Sequence, residues 1–315
     1  MIIRPSLGGL TEKNVPTPLD ISSMPTCRLA YGLRKLRAAY SGYALRVRRS
    51  SDNTETDVEF YNSKEVTLNS TVTAGGTLRD FVGANTAYVT KWYNQSGNSS
   101  TQAGGGKWSG FPTAPDAAQT VTSYQPELIT SGSMNDGISF GTHSNTRYFL
   151  VDDYRLPNAN TGDAFTYFWC GKLNDHDTTQ GLICNLDNFN DGAELLAGFN
   201  IHRIALDSHD LDISNSQTGV NMITIGSYDR TRASAQGGDG SSQILRVNGS
   251  ESTKDTNEDK HVGRDDRFRI GVRRTTSNPL DGNVREIFVF ESQLSQALQI
   301  SLERNSAIYN NVDLA

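Results

Sequence analysis

The sequence predicts a mainly β protein, an antiparallel sandwich with a short N-terminal helix and a C-terminal helix. Three observations predict it. Short runs rich in β-branched and aromatic residues recur from residue 43 to residue 290. Clusters of Gly, Asn, Asp and Ser separate them, and these residues favour turns over helix interiors. The chain has 315 residues, 36% of them hydrophobic, which is enough for one large core.

The elements follow in order. Residues 1–26 carry prolines at 5, 16, 18 and 25 and no apolar periodicity, so they read as an extended arm. The boundary with the sandwich domain, 27–315, is drawn near residue 26. Residues 27–40 place Leu29, Leu33, Leu36 and Tyr40 on one helical stripe, which predicts the first helix. Tyr43, Leu45 and Val47 then alternate with Ala44, Arg46 and Arg48 at strand period. Further strands are expected at 57–61, 87–93, 127–130, 137–140, 147–151, 164–173, 181–186, 221–228, 243–249, 267–272 and 283–290. Stretches 96–123 and 230–264 are polar and read as long surface loops. Leu294, Leu298, Leu302 and Tyr309 mark a closing helix over 294–309.

Composition excludes several classes. The longest apolar runs, such as FTYFWC, fall far short of the roughly 20 residues that span a bilayer. The opening residues lack a basic-then-apolar leader, so no secretory signal is expected. Cys27, Cys170 and Cys184 show no CxxC spacing and read as reduced, small apolar packers. Net charge is −6, but residues 1–50 carry +7 and the remainder −13. A basic head could meet nucleic acid or an acidic partner. Without interleaved aromatics, nucleic acid is not the expected partner.

Site chemistry is sparse. P-loop, dinucleotide, GxSxG and HExxH motifs are all absent. Asp187, Asn190 and Asp191 could hold Ca2+ in an irregular loop, although Phe189 and Gly198 break an EF-hand pattern. A plain polar turn is the default there. Asp187, Asp191, Glu194, Asp207, Asp210 and Asp212 offer carboxylate pairs of the kind glycoside hydrolysis requires. Their spacing selects no pair, so no catalytic residue and no cofactor is assigned. Trp92, Tyr93 and Trp108 are candidate glycan contacts through ring stacking. Packing is the preferred role for Trp92, with a hydrogen-bonded turn after it.

Two stretches resemble known families. LRKLRAAYSGYALRVRRSSDNTETDV (33–58), VTKWYNQSGNSSTQA (89–103) and QPELI (125–129) resemble the N-terminal part of the α-L-arabinofuranosidase B catalytic family. The C-terminal half, from AFTYFWCGKL through the VNG turn to LDGNVREIFVFESQLSQALQISLERN, is similar to laminin-G-like and concanavalin-A-like jelly rolls. The enzyme family's adjacent cysteine pair has no counterpart here, and its two catalytic acids find no matching segment. Domains with this combined pattern resemble those of tailed-bacteriophage structural proteins. That resemblance implies a virion protein, homo-oligomeric, made in the host cytoplasm and docked to capsid or tail neighbours. Ile2, Ile3, Arg4, Leu7, Leu10 and Val15 are then the expected assembly contacts. A carbohydrate-binding lectin-like module and a glycoside hydrolase of arabinofuranosidase type are the alternative readings; a host-surface glycan is a candidate partner, and a membrane is not expected.

Overall fold

A computed structural model describes residues 15–97, 115–151, 164–186, 192–206, 209–214, 217–229, 243–254, 268–273 and 277–315. The expected antiparallel sandwich is present. One layer is built on β1 (Cys27–Gly32), β9 (Ala164–Leu173), β14 (Asn221–Asp229), β15 (Gln243–Val247), β16 (Ser250–Lys254) and β20 (Gly282–Phe290). Its hydrogen-bonded order is β1–β20–β9–β14–β15–β16, antiparallel throughout.

The facing layer begins with β2 (Leu45–Arg49), β3 (Glu55–Val58), β4 (Ala87–Trp92), β5 (Ala117–Ala118) and β8 (Phe149–Val151). It continues through β10 (Gln180–Leu186), β11 (Gly192–Gly198), β12 (Ile201–Leu206), β13 (His209–Ile213) and β17 (Phe268–Ile270). Its order is β3–β2–β4–β5–β8–β17–β10–β11–β12–β13. The hairpin of β6 (Glu127–Thr130) and β7 (Ser133–Ser139) joins β4 to β20 at a corner. β18 (Val272–Arg273) and β19 (Ser277–Pro279) form a small separate ribbon.

Two cores explain the central strands. Phe165, Tyr167 and Trp169 of β9 enter the main core, whereas Phe168 and Cys170 enter a second core on the opposite face. Ile287 and Val289 of β20 join the first, and Phe288 and Phe290 the second. A strand buried on both faces reads as a continuous apolar run. The three cysteines are buried and form no disulfide.

The cover over the second core is helix α2 (Gln296–Asn310), introduced here with the shorter α1 (Leu78–Val82). Ser295 caps α2 by accepting from the Leu298 N–H, and Asn311 closes it in the left-handed conformation (φ 52°, ψ 52°). In α1, Thr77 and Asp80 form a reciprocal capping box.

Two sequence expectations are corrected. Residues 27–32 are a strand, not the start of a helix over 27–40. Cys27, Leu29, Ala30 and Tyr31 are all fully buried, split between the two cores, so pairing with β20 outweighs the helical stripe. The short helix lies instead at α1, where Leu78, Phe81 and Val82 form an i, i+3, i+4 apolar stripe too short to stand out in the sequence. The stretch 230–264 is not wholly loop, because β15 and β16 form a hairpin within it.

Packing also continues N-terminal to the boundary drawn near residue 26. Leu19 is buried in the second core, and Ile21 and Met24 pack against it. The Asn305 amide of α2 donates to the Pro16 carbonyl at 2.8 Å, and Leu19 N–H donates to the Leu36 carbonyl at 3.0 Å.

Candidate functional site

Several arginines of the basic head are paired within the fold. Arg34 is buried and donates through Nε to Glu286 Oε1 at 2.7 Å, and through Nη2 to Glu286 Oε2 at 3.2 Å and Asn305 Oδ1 at 2.9 Å. Ser306 and Asn310 of α2 also donate to Glu286, at 2.6 and 2.7 Å. The Arg34 guanidinium lies 4.4 Å from the centre of the Tyr309 ring. Arg46 forms a two-point pair with Asp57 at 2.8 Å, which holds that carboxyl below the usual carboxylate range. Arg48 bonds Gln125 and Asn53, and Arg49 pairs with Asp52.

Among the described residues, several carboxylates of the body are similarly engaged. Glu303 accepts from Arg246 Nη2 at 2.9 Å and from the Gly249 N–H at 2.7 Å. Arg203 takes Asp212 through Nε at 2.7 Å and Asp210 through Nη1 at 2.6 Å. Glu194, buried on β11, pairs with Arg273 at 2.9 Å.

A cleft of about 170 Å³ opens beside α2, lined in part by Glu65, Asp136, Arg285, Glu286 and Tyr309. Its charged groups bind one another: Arg285 pairs with Asp136, and the Tyr309 hydroxyl donates to Glu65. Burial pulls the Arg285 guanidinium below its ordinary value, and burial and the Glu65 bond push the Tyr309 phenol up.

The end of the sandwich near β10–β12 is different. The turn between β11 and β12 places Phe199 and Asn200 at φ 50° and 62°. Positive φ at both central residues is the primed-hairpin geometry, unusual for a phenylalanine. The Phe199 side chain is 63% exposed. It borders an open cleft of about 250 Å³ with Thr179, Leu196, Ile201 and Arg203. The Phe199 N–H donates to the His176 carbonyl, which fixes the tip against the β9–β10 connection.

That connection also carries Asp175 and Thr178. Asp175 accepts from the Asp177 N–H at 2.9 Å, which holds its carboxyl below the usual range. Its other oxygen lies 3.3 Å from His143 Nε2. Asp281, at the entrance to β20, completes a trio whose ligand atoms all lie within 4.8 Å of one another.

The sequence candidates fall as follows. Trp92 is fully buried and donates through Nε1 to the Gly32 carbonyl at 3.3 Å, so it has no face to offer a sugar. Its preferred core role holds. Tyr93 is half-buried, with its hydroxyl donating to Asp57 at 2.6 Å. The following Asn94 and Gln95 clamp the chain. Asn94 Oδ1 accepts from Ala30 N–H at 3.0 Å, while Gln95 accepts from Leu36 N–H at 2.9 Å and donates to the Gly32 carbonyl at 2.8 Å. Trp108 lies outside the described residues, as do Asp187, Asn190 and Asp191. So do Ile2, Ile3, Arg4, Leu7 and Leu10, whereas Val15 is half-buried. Phe199 and the trio escaped sequence reading. A bulky residue before Asn200 in a hairpin tip was the available signal for the first, and none links His143 to Asp281 along the chain.

Neither protein-family profiles nor curated protein sequences return a match to this chain. Solved structures do match. A GH54 α-L-arabinofuranosidase soaked with a cyclic sulfate inhibitor aligns with TM-score 0.57 and 14% identity, covering 92% of this chain and 64% of that one. An arabinofuranosidase complexed with arabinofuranosyl-α-1,2-xylobiose aligns with TM-score 0.53, 16% identity and the same coverages. The chain thus spans slightly less than two thirds of their length. At this identity the likeness defines a class of fold, an arabinofuranosidase-like β-sandwich.

Proposed function

We propose that the chain is a structural protein of a tailed-bacteriophage virion, a head-decoration, head-fibre or tail accessory component, in which the sandwich is a displayed body without hydrolytic chemistry. The observation that carries the non-catalytic reading is the pairing of Glu194, Glu286 and Glu303 with Arg273, Arg34 and Arg246. Glycoside hydrolysis needs one carboxyl to keep a proton and a second to face the sugar. The arginine contacts, joined on Glu303 by the Gly249 N–H, occupy the carboxylate oxygens that would act. The virion assignment rests on the sequence resemblance. Its anchor is the chain N-terminal to Val15, because residues 15–26 lie against the body. The expected partners are capsid or tail proteins and further copies of the chain.

Deleting residues 1–14 in the producing phage tests the anchor, with incorporation measured by quantitative mass spectrometry of purified particles. Loss of the protein from the particles is expected, and undiminished incorporation would reject the anchor. Turnover of 4-nitrophenyl arabinofuranosides that disappears in Glu194→Gln would reject the quiet body.

A glycan-binding role is the second reading, favoured by exposed Phe199 beside its open cleft. An aromatic face next to polar loops suits sugar stacking. Binding on a glycan array that Phe199→Ala abolishes would support it.

A further inference from the structure

We propose that His143, Asp175 and Asp281 form a binding site for a divalent transition-type cation such as Zn2+. The three residues come from three separate connections: β7–β8, β9–β10 and β19–β20. Their nitrogen and oxygen ligand atoms lie within 4.8 Å of one another, so one ion could reach all three after small side-chain adjustments.

The independent observation is the state of Asp281. It is only 7% exposed. The other strongly buried carboxylates Asp57, Glu194, Glu286 and Glu303 each have an arginine. Among the described residues Asp281 has no lysine or arginine partner, and its Oδ1 accepts only from the neutral Asn174 amide at 3.1 Å. A buried charge without a counter-ion is costly. A dication supplies the missing charge and, with two carboxylates, leaves the site neutral.

The backbone around the trio is set in place before any ion arrives. Gln180 accepts from the Asp281 N–H at 2.8 Å and donates to the Asp175 carbonyl at 2.5 Å. Thr178 Oγ1 lies 3.0 Å from His143 Nε2 and offers a further oxygen. An imidazole in the set favours zinc over manganese and calcium, which prefer oxygen ligands. The trio shares no residue with the Asp187, Asn190 and Asp191 candidates, and the inference does not depend on the virion reading. A bound ion would tie three loops together beneath the Phe199 tip.

The test uses the full chain, stripped with chelator and titrated with ZnCl2, MnCl2 and CaCl2 by calorimetry. One saturable zinc site is expected, tighter than for calcium. His143→Ala and Asp281→Asn should each weaken it by at least about tenfold. Thermal melting confirms that the variants are folded. His143 lies on a partly exposed loop, so its variant still reports on the site if Asp281→Asn fails to fold. Absence of saturable zinc binding by the wild type overturns the proposal. So does zinc affinity unchanged by His143→Ala, or calcium bound more tightly than zinc.

Discussion

The face under α2 and the hairpin layer β10–β13 solve the same problem in different ways. Both bury polar groups against apolar strands. Beneath α2 the solution is charge against charge: Arg34 with Glu286, and Arg246 with Glu303, each supplemented by amides, hydroxyls or backbone N–H groups. The hairpin layer has one such pair, Glu194 with Arg273, but there His202 is fully buried without an acid, its Nδ1 2.7 Å from the Thr224 hydroxyl. Burial lowers its pKa to about 3, so it stays neutral. The difference teaches which region tolerates a change of conditions. Charge pairs fail when one partner is removed, whereas a neutral histidine fails when protons become abundant.

The largest expected effect breaks the first region. Arg34→Ala leaves Glu286 buried and uncompensated, and should cost about 3–5 kcal/mol. Denaturant titration at neutral pH measures it. A cost below about 1 kcal/mol would mean that water replaces the guanidinium and that the pair is no keystone.

The second prediction sharpens the contrast through pH. The folded pKa of His202 lies below its ordinary 6.5, so the unfolded chain binds the proton first. Its contribution is complete above pH 6.5 and is lost as pH falls toward 3. Between pH 6.5 and about 4.5 the loss should reach about 2–3 kcal/mol. Replacing the group by His202→Asn should flatten the pH slope in that window. An equal slope in wild type and variant would assign it to other groups.

The smallest effect tests whether α2 is held by its pairs or by its own cap. Ser295→Ala should cost only about 1 kcal/mol by denaturant titration. A cost equal to that of Arg34→Ala would mean that the helix start, not the charge pairs beneath it, governs docking.

Much of the sheet framework was legible as sequence. ELIT and AFTYFWCGKL match β6 and β9 residue for residue, and the closing helix is offset by only a residue or two. Polar turns bracket these segments, and their apolar residues face predictable sides. Strand β1 was misread because its two buried faces erase alternation, leaving leucines at a spacing that imitates a helix. Strands β11–β13 were missed because Glu194, Asp210 and Asp212 suggest loop until Arg273 and Arg203 supply their partners. The trio was invisible for a similar reason. Residues 143, 175 and 281 meet because β7 and β9 both pair with β20, a fact of pairing and not of spacing.

The double-sided burial of β9 and β20 also constrains how this chain can change. Inserting or deleting one residue within either strand would swap its inward and outward side chains. Trp169 would then turn toward the narrow space beneath the helix, and Phe168 toward the wider interior. Neither space can absorb such an exchange. Length variation among relatives should therefore collect in the connecting hairpins, leaving the central ladder free of indels.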